Sequence, residues 1–321
     1  MENPYVGTTL FGFIVLFFQR ASLFLRGGLS LHDLAHDEIQ LLVLIPIALS
    51  GTLIGTYLIV RKVTMLSNAL SHTILIGIVL AVFILPKPET GIFNISHMLI
   101  AALFSAIITV FATHFLIFVI GIQEDAGIGV VFTSFFALGL VLLTLLTRNT
   151  HVGTEAVMGS LDILKLEDAF LPLLVLAINV ILIWLFHKEY TLTSFDPAFA
   201  KTLGLPPIPF SYLIMLQTAM TCIAAFRSVG VVMILAFLIG PPLTAKMLTA
   251  SLKPLMHIAA WIGIICAFLG VALSRHLLSY YQLAVSTAGL TTFLIGLSFF
   301  FATAIATRRK KHSPKILNSV N

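Results

Sequence analysis

The sequence of 321 residues is 59% hydrophobic and only 10% charged, with a formal net charge of +5. Soluble domains carry about 25% charged residues, so a water-soluble fold could not keep this much apolar surface from solvent. Lys and Arg occupy short breaks between apolar runs and the segment Arg308–Lys315, a pattern of cytoplasmic loops beside anionic lipid headgroups rather than of nucleic-acid binding. Cys222 and Cys266 both lie in apolar runs, so we predict packing residues rather than a disulfide framework or a Cys-rich zinc site.

Apolar runs long enough to cross about 30 Å of hydrocarbon recur along the chain. A weaker run at 8–25 contains Gln19 and Arg20, and it either spans or lies along the interface as an amphipathic anchor. We predict an all-α fold, a polytopic transmembrane helical bundle of about 8–10 spans. The stronger predicted spans are 39–60, 66–85, 97–121, 127–147, 169–187, 209–227, 230–248, 255–275 and 283–306.

Three segments are expected: an N-terminal segment 1–38, a transmembrane domain 39–306 and a basic cytoplasmic tail 307–321. Met1–Tyr5 contain no Lys or Arg, so we expect a retained N-terminus rather than a cleaved signal peptide.

Orientation follows from the basic residues, because cytoplasmic loops are enriched in Lys and Arg. With the C-terminal tail inside, the residues predicted to be inside are Arg61, Lys62, Lys188, Lys201, Lys246 and Lys253. Arg148, Lys165, Arg275 and the segment 27–38 then face outside. The two long connections are 147–168 outside and 187–207 inside.

The stretch RKVTMLSNALSHTILIGIVLA contains a candidate site for a cation. Asn68 and His72 are four residues apart, so they share one face of a helix. Imidazole is a common ligand of zinc, iron and manganese-type ions, and polar groups in spans face a cavity or the bundle interior. The pair either lines a cation path, or His72 is a buried histidine bonded to a backbone carbonyl of a neighbouring helix.

Other titratable residues are open to a structural and a functional interpretation. The motif HDLAHDE places His32 and His36 four residues apart, and it is either a solvated juxtamembrane helix or a contact for a divalent ion or a solute-binding protein. Glu124 and Asp125 stand at the cytoplasmic mouth of a span, where they either stabilise a helix N-terminus or act as metal exit ligands. For His114 we predict a buried structural role.

The inside segment HKEYTLTSFDPAFAKTLGLPPIP has the character of a short helix on the membrane surface. Asp196 is a suitable cap, Pro197 suits the first helical position, and Gly204 with Pro206 ends the helix. An ordinary interfacial connector would use the same caps.

In LIGPPLTAKML, we expect Gly240, Pro241 and Pro242 to break backbone hydrogen bonding inside a span. Such broken helices often line transport pathways. The sequence contains no G-x-x-x-x-G-K-[ST] phosphate loop, so any ATP would be handled by a partner.

Four segments, in order, resemble landmarks of the metal-ion family of ABC importer permeases, which take up manganese, zinc or iron. They are GTLIGTYLIVRKVTMLSNALSH, EDAGIGVVFTSFFALGLVLLTL, DPAFAKTLGLP and AFRSVGVVMILAFLIGPPLTAKMLT. The resemblance runs from about Gln40 to the last span and implies a type II permease fold like that of the vitamin B12 importer. The EDAGIGVVF stretch is more similar to manganese and iron members than to zinc members.

The resemblance also implies roles for single residues. His72 matches the family's metal-receiving histidine, whereas Asn68 replaces the acidic residue that stands four positions before it. A neutral amide keeps one carbonyl oxygen as a ligand and loses the negative charge that offsets the desolvation of a divalent ion. Asp125 matches a further acidic position, and Pro241 matches the family's one proline at the helix break.

By the same resemblance, the inside segment is the coupling helix that docks into a cytoplasmic ATPase, with Asp196, Ala200 and Gly204 at matching positions. The implied function is the permease subunit of an ATP-driven importer of a divalent transition metal, with no permanently bound cofactor and no covalent chemistry of its own. The implied partners are an ATPase dimer, a second and different permease that keeps the acid, and an extracytoplasmic metal-binding protein, all at the bacterial inner membrane.

Two other classes of protein are compatible with a helical bundle. A secondary transporter or channel without an ATPase would need carboxylates for a coupling ion near the midplane, and the predicted spans hold almost no Asp or Glu away from their ends. A membrane enzyme or respiratory-complex subunit would show buried Lys and Glu relays or a motif such as H-E-x-x-H, which the sequence lacks.

Overall fold

The computed structural model describes residues 4–28, 30, 33–65, 69, 73, 76–77, 95–147 and 161–312. In these residues every regular element is a helix, which confirms the predicted all-α class. A π-helical turn, Phe115–Val119, extends α3, and two 3-10 turns precede α5 at Leu161–Ile163 and Leu166–Ala169. The α-helices are α1 (Leu10–Leu25), α2 (His36–Val60), α3 (Ile95–His114), α4 (Glu124–Thr147), α5 (Phe170–Leu185), α6 (His187–Phe195), α7 (Pro197–Thr202), α8 (Pro207–Leu248), α9 (Leu252–Tyr281) and α10 (Thr287–His312).

Six stretches of the described chain are long and apolar enough to cross a membrane, and each matches a predicted span. They are His36–Val60, Leu166–Leu185, Pro207–Phe226, Ser228–Leu248, Leu252–Tyr281 and Thr287–Arg308. Shorter apolar helices lie at Leu10–Phe24, Leu103–Ile117 and Ala126–Leu142. Most of the predicted span 66–85 lies outside the described residues.

The central helix is α2, which is buried along most of its length. At one end, the Asp37 carboxylate binds the guanidinium of Arg275 near the end of α9, with an N–O distance of 2.6 Å. At the other end, the Arg61 guanidinium donates to Ser211 Oγ at the start of α8, at 2.7 Å. The start of α2 therefore meets α9 at one level, and its end meets α8 at the other. Following the orientation predicted from the basic residues, we call the Asp37 level outer and the Arg61 level inner.

Close approach between α2 and the second half of α8 depends on Gly51 and Gly55. A Cβ on Gly51 would lie 3.2 Å from Phe237 Cβ, and one on Gly55 would overlap the carbonyl group of Leu238. This is the small-xxx-small packing that brings helix backbones together in membranes, where apolar burial alone gives no preference for protein over lipid.

The long helix α8 consists of two limbs, α8a (Pro207–Phe226) and α8b (Ser228–Leu248). Ser211 and Thr221 of α8a contact Arg61 and Ser50, so α8a runs antiparallel to α2. By contrast, α8b is parallel to α2, because Phe237 lies beside Gly51 and Leu238 lies beside Gly55. The chain reverses at Gly230, whose φ of 78° and ψ of 171° suit only glycine.

The predicted break at Gly240, Pro241 and Pro242 is not where the helix changes direction. The helical backbone of α8b continues through all three residues to Leu248. Proline at 241 and 242 removes two amide donors without interrupting this path, because the surrounding helices hold the segment in place. Gly240 itself packs closely against Ile295 of α10.

Helix α1 lies against the outer ends of α2 and α9. Tyr5 OH, before α1, and Arg20 Nε, in its last turns, both donate to Glu38 Oε1, at 2.7 and 2.6 Å. The Gly7 amide donates to Ser279 Oγ at 3.3 Å, also at the outer level. Residues at both ends of α1 therefore contact the outer side of the subunit.

Candidate functional site

The predicted metal pair, Asn68 and His72, lies outside the described residues. Two of the described residues beside the pair, Ala69 and Thr73, are buried within the subunit. Ser105 Oγ of α3 donates to the Thr73 carbonyl at 2.6 Å. Helix α3 is thus in direct contact with Thr73.

The inner segment forms the short helix predicted from its caps. Asp196 has extended backbone angles, and its Oδ1 accepts from the Phe199 amide at 2.9 Å, which satisfies an amide of the first turn. Pro197 occupies the first turn of α7. Gly204 has a φ of 80°, and the Leu205 amide beyond it donates to the Ala200 carbonyl at 3.1 Å, closing the helix end.

One face of this segment is anchored and the other is bare. Ala200 is completely buried against the bundle. Phe195, Phe199 and Leu203 are 58%, 52% and 56% exposed. The connection between the spans that holds these apolar side chains also carries Lys188 and Lys201. We call Phe195, Phe199 and Leu203 the inner apolar patch.

A buried hydrogen-bond network crosses the inner half of the bundle, which sequence analysis did not predict. Asn179 Nδ2 of α5 donates to Ser50 Oγ of α2 and to Thr221 Oγ1 of α8a, the latter at 2.8 Å. Gln217 Nε2 donates to Asn179 Oδ1 at 3.2 Å, and Gln217 Oε1 accepts from Tyr190 OH of α6 at 2.6 Å. Each of these five side chains is at most 2% exposed.

Both amides of the network use their oxygen and their nitrogen in hydrogen bonds. The Asn179 and Gln217 side chains each donate and accept. Thr221 Oγ1 also donates to the backbone carbonyl of Gln217 at 2.8 Å. Leaving one such buried group without its partner costs about 1–3 kcal/mol. Amide and hydroxyl side chains that hydrogen-bond between helices also contribute to helix association within a membrane.

Tyr190 connects this network to the inner segment. Its ring packs edge-on against Tyr57, with ring centroids 5.4 Å apart, and Tyr57 OH lies 3.2 Å from Nδ1 of His187, also in α6. Burial raises the pKa of the Tyr190 phenol above its usual range, so the phenol is a proton donor at any physiological pH. Helix α6 is thereby fixed to α2 and to α8a, and only Asp196 separates it from α7.

The Gly240–Pro242 segment is a packing site within the subunit. Pro242 has no amide to donate to the Leu238 carbonyl four residues earlier, and that oxygen faces Gly55 of α2. Thr244 Oγ1 donates to the Gly240 carbonyl at 2.8 Å. Both prolines are buried. That the segment lines a transport pathway stays a prediction.

The outer level contains a cavity of about 440 Å³ at the ends of α2, α9 and α10. His36 Nε2 lies 2.8 Å from the Asp162 carbonyl oxygen, and Thr287 Oγ1 donates to Asp162 Oδ1 at 2.8 Å. No three His, Cys, Asp or Glu side chains in the described part of the chain are arranged to hold a metal. His32 lies outside the described residues, so the predicted pairing with His36 stays untested.

Three further residues singled out in the sequence, Glu124, Asp125 and His114, can be placed in part. Helix α4 begins at Glu124, at the position predicted for a helix N-terminus, and the side chains of Glu124 and Asp125 are outside what the structure describes. His114, at the end of α3, is partly buried and packs on Tyr212 of α8a, with ring centroids 4.4 Å apart.

The family model of the ABC 3 transport family matches residues 38–306. The chain belongs to the ABC 3 transport family. It is 36% identical to a probable metal transport system membrane protein of Chlamydia muridarum, over 97% of this chain and 96% of that protein. It is 35% identical to the manganese transport system membrane protein MntD of Bacillus subtilis, over 83% and 92%.

A solved structure shares the fold of this ABC 3 family chain. PsaBC from Streptococcus pneumoniae, determined in complex with Fab, superposes with a TM-score of 0.71 and 24% identity, covering 87% of this chain and 95% of that one. The predicted membership of the metal-ion ABC permeases and the multi-pass bacterial membrane location are therefore confirmed.

The buried network is the part of this ABC 3 family chain that sequence reasoning missed. Asn179 interrupts the apolar run FLPLLVLAINVILIWL and Gln217 interrupts IMLQTAM, so each amide was visible as a polar residue in a span. Their contact was not visible, because 38 residues separate the two amides and 129 separate Asn179 from Ser50.

Proposed function

We propose that this chain is the membrane-spanning permease subunit of an ATP-driven importer that carries a divalent transition metal, manganese, iron or zinc, into the cytoplasm. Membership of the ABC 3 transport family supports the importer class, and relatives named for manganese transport support the substrate class. The metal is the substrate, and no resident cofactor is proposed.

The observation that carries the proposal is the inner apolar patch. Large apolar side chains exposed among charged residues indicate a protein interface. Phe199 and Leu203 belong to a short capped helix whose other side is anchored by the buried Ala200. We infer that this helix is the coupling helix and that a cytoplasmic ATPase covers the patch.

The chain contributes no covalent step. Closure of the ATPase dimer would favour one arrangement of the helices, and its reopening the other, so that metal is accepted from outside and released inside. An extracytoplasmic metal-binding protein would deliver the ion. The transmembrane part is proposed to be 39–306, flanked by the accessory segment 1–38 and the basic tail 307–321, and the range 38–306 of the family match supports these limits.

A second permease is proposed to complete the pathway. With Asn68 in place of an acid, this chain supplies His72 and a neutral amide to the proposed metal site, and two such copies would offer a divalent ion no carboxylate there. A different permease that keeps the acid would supply the missing charge.

The alternative function, a secondary transporter without an ATPase, has less support. In the described spans, Asp37 and Glu38 lie at the outer end of α2. Glu167 and Asp168 lie in the 3-10 turn at the outer end of α5. The carboxylates of both pairs are hydrogen-bonded to nearby groups or exposed at the surface. Neither pair lies at the midplane, where a coupling ion would bind.

Uptake of radiolabelled manganese by cells that produce this chain with the ATPase and the binding protein tests the proposal. Competition by iron and zinc ranks the substrates. Replacing Phe199 and Leu203 together by Ala should weaken capture of the ATPase by about tenfold or more and reduce uptake to the same extent. Met247→Ala, which alters a 41% exposed side chain at the inner end of α8b, is the matched control. Unimpaired capture in the double variant would contradict the assignment of the patch.

A further inference from the structure

The buried network provides the inner segment with a directional connection to the membrane bundle. Helix α6 contacts the bundle through apolar rings and through two polar links, Tyr190 to Gln217 and His187 to Tyr57. Apolar rings can slide past one another with little change in energy. A hydrogen bond between two buried side chains has a defined direction and length, so it holds one relative position.

Gln217 occupies the branch point of this connection. Its carbonyl oxygen accepts from Tyr190 on α6, and its amide nitrogen donates to Asn179 on α5. Asn179 in turn donates to Ser50 on the central helix α2. A displacement of α6 can therefore reach α5 and α2 through Gln217. This route acts beside the direct contact of His187 with Tyr57 on α2 and the chain link at Phe186.

We propose that Gln217 is a positioning residue for transport, which relays movement of the α6–α7 segment to α5 and α2. This inference rests on the proposed function, because the movement is the one that an ATPase imposes on the coupling helix. Gln217 contacts no substrate in this role. It keeps the α6–α7 segment and the spans in a fixed relative position, so that ATP hydrolysis and opening of the pathway occur together.

The neighbouring Thr218 provides a control on the same helix. Thr218 is also completely buried, but its hydroxyl donates to the Ile214 carbonyl of its own helix, at 2.7 Å. Thr218→Val removes a buried hydroxyl of α8a without touching the connection between helices. A purely structural role for buried polar groups in α8a would make the two positions behave alike.

The experiment measures metal transported per ATP hydrolysed in the complete transporter, with ATPase and binding protein, reconstituted in lipid vesicles. We expect Gln217→Leu and Tyr190→Phe to reduce this ratio by about fivefold or more, with ATP hydrolysis continuing without transport. Thr218→Val should keep the wild-type ratio. Gln217→Glu should also keep the wild-type ratio of metal transported to ATP hydrolysed. A carboxyl group kept protonated by apolar surroundings offers both a hydroxyl donor and a carbonyl acceptor.

Three results would overturn the inference and can be told apart. A wild-type ratio in both Gln217→Leu and Tyr190→Phe would show that Gln217 relays no movement. A ratio in Thr218→Val as low as that in Gln217→Leu would show that the network has only a structural role. A ratio in Gln217→Glu as low as that in Gln217→Leu would show that the hydrogen bonds of this side chain are not the cause of coupling. Tyr190→Phe keeps the packed ring, so it carries the test if Gln217→Leu does not assemble. A wild-type transporter that moves no metal with ATP would instead refute the proposed function.

Discussion

The carbonyl oxygen of Leu238 in α8b points at the α-carbon of Gly55 in α2. Pro242, four residues after Leu238, has no amide with which to bind that oxygen, so the contact with Gly55 takes its place. A Cα–H donor is weak, with a net value of about 0.5–1 kcal/mol, but no other residue type would let the two backbones approach so closely. The proline and the glycine therefore act as one packing unit, which joins the central helix to the second limb of α8.

Gly55→Ala should destabilise the subunit. A methyl group at this position would overlap the Leu238 carbonyl, and such overpacking costs about 1–3 kcal/mol. Thermal unfolding in detergent should show a lower midpoint. In Gly129→Ala, on α4, the new methyl group meets no atom within 4 Å, so that variant should be unchanged or slightly more stable. Equal midpoints for the two variants would contradict the close approach.

Asp196→Ala should loosen the proposed coupling helix. The change removes the acceptor of the Phe199 amide and costs about 1 kcal/mol of stability in a helix of six residues. Hydrogen exchange at the α7 amides should accelerate, and the ATPase should bind more weakly. Asp196→Asn keeps a capping oxygen and should resemble the wild type. If the Ala and Asn variants exchange at the same rate, the cap does not hold the helix.

Glu38→Ala should release α1 from the bundle. The Glu38 carboxylate accepts from Tyr5, from Arg20 and from the amide of Ala35, so its removal leaves a partly buried guanidinium without a counter-charge. Hydrogen exchange in α1 should rise by about tenfold or more. Glu167→Ala, a change to an exposed glutamate at the outer level, should leave this exchange unaltered. Unaltered exchange in Glu38→Ala would show that apolar contacts alone hold α1.

The same contact predicts how α1 responds to pH. Burial, reinforced by the hydrogen bond to Glu38, raises the pKa of the Tyr5 phenol above its ordinary value of 10.0. The stability that this contact contributes is fully present below pH 10.0 and is lost only as the pH rises through the raised pKa. Hydrogen exchange in α1 of the wild type should therefore show no loss of the contact up to about pH 10. Loss of protection from hydrogen exchange in α1 below about pH 10, if it is absent in Tyr5→Phe, would contradict this expectation.

Metal uptake by two variants tests the proposed intramembrane site. His72→Ala should abolish uptake if the imidazole receives the ion, and unchanged uptake would remove this site from the mechanism. Asn68→Asp should bind the ion more tightly, because a second carboxylate offsets more of the ion's desolvation cost. Uptake at limiting metal concentration by the complete transporter distinguishes these outcomes from a general loss of assembly.

Features set by neighbouring residues in the chain could be predicted from the sequence. The caps of α7 follow from Asp196, Pro197 and Gly204, which act within one helical turn, and the structure has them as predicted. The boundary between the predicted spans 209–227 and 230–248 also agrees with the structure, in which the backbone leaves the helical conformation at Gly230.

Features that depend on contacts between distant residues could not be predicted. Two adjacent prolines ordinarily interrupt a helix, so Pro241 and Pro242 indicated a break, but α2 and α10 hold the backbone helical there. Asn179, Gln217 and Ser50 each looked like an isolated polar residue, because hydrophobic periodicity says which residues are buried and not which of them meet.

The inner apolar patch also has a consequence for biogenesis. Phe195, Phe199 and Leu203 are exposed in the single subunit. If an ATPase covers this patch, as proposed, a newly inserted copy without that partner presents to the cytoplasm the kind of surface that chaperones and quality-control proteases recognise. The abundance of this chain should then follow the supply of the proposed ATPase, so an excess of this chain would be cleared rather than stored.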